Sequence, residues 1–153
     1  MKKQAAETLG YVVITLSIAL FFLLCFRIEP HVESMLFQGL AWMLFGLGIL
    51  LIVLSTVTLV RNQGAGLIKH GAYSIIRHPM YCGAMLLFLS WIFFLPHWSI
   101  LLLSMVNIAI TYWYAVQGEH QNIDKFGAEY ERYMESVPRV NILAGLYRRL
   151  RNM

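Results

Sequence analysis

Polar side chains that can bind a charged ligand occur at two places in an otherwise apolar chain. Arg77 and His78 stand directly before Pro79 and a further apolar run, whereas Glu119 and His120 follow the last long apolar stretch. A carboxylate near apolar surface is costly unless a cation pairs with it, so Glu119 needs Arg77, a protonated histidine or a cationic ligand. Ordinary roles stay open for the same residues: Arg77 as a topology anchor, His78 as an interfacial side chain and Glu119 as a solvated charge.

The elements that must position these groups are apolar helices. Of the 153 residues, 59% are hydrophobic and only 13% are charged, which is typical of a membrane protein. A spanning helix needs roughly 20 apolar residues, with about 17 as the lower limit, so the second and fourth apolar stretches are long enough and the first and third are marginal. These stretches are Tyr11–Phe26, Leu36–Val60, Met80–Leu95 and Trp98–Val116. The sequence therefore predicts an all-α polytopic membrane protein with about four transmembrane helices.

The positive charges indicate the orientation of the helices. With four crossings and a cytoplasmic N-terminus, the cytoplasmic segments are residues 1–10, 61–79 and 117–153, and they contain eleven of the twelve Lys and Arg residues. Arg27 is the exception, in a loop with Glu29 and Glu33. The positive-inside rule then predicts that both termini are cytoplasmic. The net charge of +4 is explained by this topology, so it does not indicate binding of nucleic acid.

The C-terminal third is more polar. Apolar residues recur there at three- and four-residue steps: Ile123, Phe126, Tyr130, Tyr133 and Val137. This spacing predicts an amphipathic cytoplasmic helix that ends before Pro138. The tail, residues 140–153, combines leucines with Arg148, Arg149 and Arg151, a pattern that can lie on an anionic leaflet. Cys25 and Cys82 belong to no ligand cluster and lie on opposite predicted sides, so we expect neither a metal site nor a disulfide.

Two segments of the chain resemble one enzyme superfamily. "HGAYSIIRHPMYCG" is similar to the G-x-Y-x-x-x-R-H-P-x-Y-x-G signature of the isoprenylcysteine carboxyl methyltransferases and the related phospholipid N-methyltransferases. About 35 residues downstream, "GEHQNIDKFGAEYERYMESVPR" resembles the superfamily's E-E-x-x-L-x-x-x-F-G-x-E-Y-x-x-Y-x-x-x-V-P-R. The resemblance covers residues 71–139. It implies an integral membrane enzyme with S-adenosylmethionine in a cytoplasm-facing pocket and a lipophilic acceptor that arrives from the bilayer.

The resemblance also implies roles for single residues. His78 and Tyr81 match the cofactor-binding motif, together with the backbone from Gly71 to Tyr73. Glu119 matches the second acid of the paired glutamates, and Arg139 matches the arginine near the methyl-accepting group. Tyr130 and Tyr133 match tyrosines of the terminal helix, for which substrate contact and packing are both open.

The chemistry of the cofactor suggests how these groups act. Arg77 or His78 can hold its carboxylate, Glu119 can accept from its ammonium or ribose hydroxyls, and Tyr73 or Tyr81 can stack on adenine. Arg139 can orient an anionic acceptor, and an amine acceptor would need Glu119 or His120 as a base. The predicted catalytic residues are therefore Glu119 and Arg139.

Two departures from the superfamily pattern concern the acceptor. Gly118 stands where the first glutamate of the pair is expected, and Ala65 stands where the prenylcysteine branch often has histidine. Both favour a lipid-like small molecule over a prenylated protein. Prenylcysteine carboxylates, phospholipid amines and lipophilic thiols or acids all stay open as acceptor classes.

We interpret residues 1–153 as one domain. Its predicted parts are an N-terminal helical hairpin (1–70), a catalytic core (71–139) and a basic interfacial tail (140–153). Two other functions are considered. A nicotinamide-dependent membrane reductase shares the R-H-P-x-Y segment, but its chain would be longer. A non-enzymatic four-helix protein such as a transporter would carry ionisable residues in mid-membrane, whereas here they cluster at the predicted cytoplasmic rim.

Overall fold

A computed structural model describes residues 2–28, 34–64 and 66–151, and this part of the chain contains helices and no strand. The helices are α1 (Lys2–Cys25), α2 (Met35–Arg61), a short 3-10 helix (Gly71–Ser74), α3 (Pro79–Phe94), α4 (Trp98–Phe126), α5 (Ala128–Ser136) and α6 (Ile142–Arg151). The prediction of an all-α protein is confirmed. Ala65, Glu29 and Glu33, on which expectations from the sequence partly rest, lie outside the described residues.

Within the described residues, two helices are long and apolar enough to cross a membrane. They are α2, with 27 residues, and α4, with 29, which contain the second and fourth apolar stretches of the sequence. The apolar part of α1, Thr15–Cys25, and the whole of α3 are shorter. The 16 residues of α3 extend about 24 Å, less than the roughly 30 Å of a bilayer core. Four crossings and the orientation of the termini stay predictions.

The closest helix packing in the described chain joins α2 to α3. A Cβ atom on Gly48 would lie 2.8 Å from the carbonyl oxygen of Gly83, and a Cβ on Gly83 would lie 2.6 Å from that of Gly48. The two backbones can approach this closely only because neither residue has a side chain. Gly39 and Gly46 of the same helix have no such neighbour. The Gly48–Gly83 contact therefore sets the position of α3, whose first residues carry the R-H-P segment.

Helix α1 packs mainly against α4. Asn107 of α4 donates a buried hydrogen bond of 2.7 Å to the Ser17 hydroxyl of α1, and Phe21 forms an apolar cluster with Leu95 and Ile100. The helices of the predicted 1–70 hairpin thus make their main contacts with other helices, α1 with α4 and α2 with α3. An apolar cavity of about 490 Å³ lies where the end of α1 meets α2 and α3, and Trp42 and Trp91 are among its walls.

The amphipathic segment after Val116 differs from its prediction as one helix. Its first ten residues continue α4 as far as Phe126, and a separate α5 begins at Ala128. Gly127 between them has φ of 53° and ψ of −135°, a conformation that residues with a side chain rarely adopt. Helix α5 then ends at Ser136, two residues before Pro138, as predicted. The break allows α5 to turn back over the loop that precedes α3.

Candidate functional site

The R-H-P segment and the V-P-R segment are paired through their backbones. The Arg77 amide donates to the carbonyl oxygen of Pro138 at 2.9 Å, and the His78 amide donates to that of Arg139 at 3.1 Å. Pro79 begins α3, where a missing amide hydrogen costs nothing because the first turn of a helix has free donors. Two segments about 60 residues apart in sequence therefore form one short, hydrogen-bonded unit at the start of α3.

Glu119 of α4 is the centre of the charged groups at this unit. Its side chain is 6% exposed, and its Oε2 accepts a 2.6 Å hydrogen bond from Arg139 Nη2. Its Oε1 lies 3.1 Å from Arg77 Nη1 and 3.4 Å from His78 Nε2. Two guanidinium groups stabilise the ionised carboxylate in this buried position. Glu119 thus has two cationic partners, Arg77 and Arg139, where the sequence required one.

His78 is the neutral member of this cluster. Burial lowers the pKa of His78 from 6.5 to about 4, and the two neighbouring arginines add to this effect, while Glu119 partly opposes it. Near neutral pH the ring is therefore uncharged and can donate one hydrogen bond and accept another. Its ring lies 5.6 Å from that of Tyr81, centroid to centroid. The cluster consequently carries the charges of two arginines and one glutamate, with a neutral imidazole beside them.

Arg139 reaches two partners on α4. Besides Glu119, its Nη1 donates to the Tyr112 hydroxyl at 2.8 Å, and its guanidinium carbon lies 5.5 Å from the centroid of the Tyr112 ring. The hydrogen bond to Glu119 raises the pKa of Arg139 further above its usual range. Tyr112 was missed by the sequence analysis, although its position seven residues before Glu119 puts both on one face of the helix.

A pocket of about 230 Å³ opens next to this cluster. Arg77 belongs to both, because it lines the pocket while its Nη1 faces Glu119. Tyr73, Tyr130 and Tyr133, which the sequence also offered as site residues, line the pocket as well. Asn122 and Lys125 of α4 are among its other lining residues. The pocket thus combines aromatic surface with amide and cationic groups, which is the lining expected for a polar ligand with a flat ring system.

The tyrosines of the pocket are held by hydrogen bonds. The Tyr133 hydroxyl donates to the backbone oxygen of Tyr73 at 2.5 Å, and the Tyr73 hydroxyl is 2.7 Å from the Ser55 hydroxyl of α2. Burial raises the pKa values of Tyr73, Tyr130 and Tyr133, so all three stay protonated near neutral pH. This connection between α5, the 3-10 helix and α2 gives the pocket a defined wall.

A comparison with family models matches residues 36–129, more than half of the chain, to a family described as phospholipid methyltransferase. The chain belongs to the phospholipid methyltransferase family. Comparisons with curated proteins and with solved structures gave no significant match. Membership confirms the superfamily resemblance and indicates a membrane methyltransferase; the matched residues include the R-H-P-x-Y segment and Glu119 and end before the V-P-R segment.

The candidate site contains buried polar atoms that lack a hydrogen-bond partner in the described chain. Four of them belong to the charged cluster: Arg77 Nε, His78 Nε2, Glu119 Oε1 and Arg139 Nε. Glu119 Oε1 is close to two cationic or polar groups, but neither contact has the alignment of a hydrogen bond. Because unpaired buried polar groups are costly, a ligand that offers both donors and acceptors fits this cluster.

The other residues of the predicted site have different surroundings. Tyr81 contacts His78 but is not among the residues that line the 230 Å³ pocket, and His120 is exposed. Gly71 lines a second groove, on the other side of the 3-10 helix. At Gly118 a Cβ atom would lie 3.6 Å from His78 Cε1, an ordinary contact distance. The first acid of the superfamily pair would therefore border this same cluster.

Proposed function

We propose that this phospholipid methyltransferase family member is an S-adenosylmethionine-dependent enzyme with its site at the cytoplasmic ends of its helices, and that its acceptor is lipophilic. The observation that carries the proposal is the convergence of three segments on Glu119. Arg77 and His78 precede α3, Glu119 belongs to α4 and Arg139 follows α5. All of these groups lie at one end of helices α3 and α4, where a polar cofactor and a membrane-borne molecule can meet.

When bound, the cofactor supplies an activated methyl group on a sulfonium, so the protein needs mainly to bind, orient and exclude water. Arg77 and neutral His78 offer donors to its carboxylate, and Glu119 Oε1 offers an acceptor for its ammonium or ribose hydroxyls. The tyrosine-lined pocket offers a surface for adenine. At about 230 Å³ this pocket is below the usual range of roughly 300–1,000 Å³, so it would hold one part of the cofactor beside the Glu119 cluster.

Arg139 is the candidate contact for the acceptor. Its side chain is 31% exposed, and its partner Tyr112 is 42% exposed on the apolar helix α4. A molecule arriving from the bilayer along α4 would thus reach a guanidinium next to the charged cluster. This favours an acceptor with a carboxylate or phosphate, and among the open classes a lipid-like small molecule or a phospholipid amine. An amine would have to lose a proton before methylation, and because two guanidinium groups stabilise the ionised form of Glu119, the exposed His120 is the better candidate base.

The first test is calorimetric titration of the full chain in detergent and in lipid with S-adenosylmethionine. We expect saturable binding by the wild type and loss of binding in His78→Ala and Glu119→Gln. Glu131→Gln is the matched control, since Glu131 is an exposed acid of α5. Circular dichroism and the melting temperature show whether each variant is folded.

The alternatives give different results in the same experiment. Binding of a reduced nicotinamide nucleotide in place of S-adenosylmethionine would favour the reductase. Absence of binding by folded wild-type protein, in lipid as well as in detergent, would contradict the proposed function. If the cofactor binds as expected, transfer of a labelled methyl group to extracted membrane lipids would identify the acceptor class.

A further inference from the structure

A second groove lies on the opposite side of the 3-10 helix from the candidate site. Its volume is about 280 Å³, and its walls come from α2, the Gly71–Ile76 segment and α6. Leu51, Leu54 and Thr58 of α2 line it at steps of three and four residues, which places them on one face of the helix. Leu54 is 45% exposed. The groove is thus continuous with the apolar surface of a helix long enough to cross a membrane.

The polar end of this groove is Arg149 of α6. Its Nη1 donates to the Ser74 hydroxyl at 2.6 Å, and that hydroxyl donates to the carbonyl oxygen of Gly71. In the described part of the chain, Arg149 forms no ion pair, and neither do its neighbours Arg148 and Arg151. A cationic side chain without an acidic partner therefore stands at the end of an apolar groove that adjoins exposed apolar residues of α2.

Helix α6 is held against the groove by a close backbone contact. Gly145 packs directly on the carbonyl group of Ile75, so closely that a Cβ atom at residue 145 would clash with it. The remaining apolar residues of α6 form an exposed stripe at steps of three and four residues: Leu143, Leu146, Tyr147 and Leu150. A helix with an exposed apolar stripe and arginines in its last turn is typical of one that lies in a membrane interface.

We propose that this groove binds one anionic phospholipid of the bilayer, with an acyl chain along Leu51 and Leu54 and the phosphate on Arg149. Three observations agree on this occupant. The walls suit hydrocarbon, a guanidinium without an acidic partner in the described chain suits a phosphate, and the groove joins the exposed apolar surfaces of α2 and α6. Ile75, Ile76 and Ala72 line this groove whereas Tyr73 and Arg77 line the other pocket, so the groove is separate from the pocket proposed for the cofactor.

The test uses the full chain purified in an uncharged detergent and titrated with dioctanoyl phosphatidylglycerol, with the melting temperature as readout. We expect a saturable rise for this lipid, little rise for phosphatidylcholine with the same chains, and none for glycerol 3-phosphate, which lacks chains. Arg149→Gln should weaken the binding about tenfold, as expected for loss of a charge-assisted contact. Arg151→Gln, a change of the same kind on the same helix but outside the groove, should leave it within about twofold.

Two further variants keep the proposal testable if Arg149→Gln does not fold. Leu54→Trp fills the groove and should weaken binding, whereas Ser74→Ala frees the Arg149 guanidinium and should preserve it. Equal responses to the two lipids, or equal losses in Arg149→Gln and Arg151→Gln, would overturn the proposal. Loss of the response in Arg139→Gln but not in Arg149→Gln would overturn it as well, because the lipid would then occupy the Glu119 site.

Discussion

Glu119 is stabilised in a buried position by groups from two separate segments. Arg77 and Arg139 compensate its charge, and the neutral ring of His78 is close to the same oxygen as Arg77. Burying an ion pair brings little net stability, but removing one partner leaves an uncompensated charge, which typically costs several kcal/mol. Each residue of the cluster is therefore expected to affect the stability of the fold, and a useful substitution separates this effect from one on ligand binding.

Protonation of His78 makes the stability of the protein depend on pH. The pKa of this residue is about 4 in the folded protein and ordinarily near 6.5 in an unfolded chain, so between these values the unfolded chain binds the proton more tightly. We expect the free energy of unfolding to decrease as the pH falls from about 6.5 to about 4, by up to about 3 kcal/mol. Melting temperatures across this range measure it.

The variant His78→Asn should show a weaker dependence on pH over the same range, because the titrating group is gone. His120→Asn, at an exposed position, should keep the wild-type dependence. Glu119, Arg77 and Arg139 are the charged groups facing His78, and they are unchanged in both variants. Identical pH profiles for wild type and His78→Asn would contradict this prediction.

Arg139→Lys tests the two-partner contact of the guanidinium. A single ammonium cannot reach both Glu119 and Tyr112 with the geometry of the planar fork, so one hydrogen bond to a charged group is lost. We expect destabilisation of about 1 kcal/mol, less than the roughly 1.5–3 kcal/mol usual for such bonds, because the side chain is partly exposed. Chemical denaturation in detergent measures it, with Arg132→Lys on the surface of α5 as control. An unchanged unfolding free energy would exclude the two-partner role.

At the scale of elements, the contact between α2 and α3 determines where the R-H-P segment lies. The two helices touch through Gly48 and Gly83, and the distances there leave no space for another carbon atom. The same arrangement recurs where Gly145 of α6 meets Ile75. The position of the segment from Gly71 to Pro79 is therefore determined by the α2–α3 pair and by its contacts with α5 and α6.

Gly83→Ala should destabilise the helix pair, because the new Cβ would lie 2.6 Å from the carbonyl oxygen of Gly48 and the helices would have to separate. Overpacking of this kind costs about 1–3 kcal/mol. Gly46→Ala is the matched control: it adds the same methyl group to α2 where no other group lies within 4 Å. A melting temperature that falls equally in both variants, or in neither, would contradict the prediction.

At the scale of the whole molecule, the number of crossings depends on α3. This helix is apolar but only 16 residues long, and both of its ends are near turns, at His78 and at Leu95. If it crosses the bilayer, the loop after α2 and the turn before α4 lie on opposite sides. If α3 does not cross, the loop and the turn lie on the same side, and α4 begins on the side of the membrane where α2 ends.

Labelling of single cysteines distinguishes these two topologies. In a chain with Cys25 and Cys82 replaced by serine, we expect His97→Cys to react with an impermeant maleimide in spheroplasts of a bacterial host. Gln63→Cys, also exposed, should react only after permeabilisation. This outcome follows from four crossings with cytoplasmic termini. Labelling of both positions from the same side would show that α3 enters the membrane without crossing it.

The sequence by itself determined the helices and the family. Helix positions follow from runs of apolar residues, a local property, and so α2 and α4 were predicted within a few residues at most ends. The motifs containing Arg77, His78 and Glu119 identified the superfamily, and the predicted topology placed them at the same face. The break at Gly127 was missed, because the periodicity of apolar residues continues through it and only the backbone angles reveal it.

Only the tertiary structure decided which groups touch. The pairing of Arg77 with Pro138, the contact of Arg139 with Tyr112 and the bond from Tyr133 to Tyr73 join residues 27 to 61 positions apart. Such contacts depend on how each helix is rotated and how closely it approaches its neighbour. Those quantities are set by packing at sites such as Gly48 and Gly83, which meet although they lie 35 positions apart in sequence. Local patterns contain no information about rotation or approach, so the arrangement of the site required the folded chain.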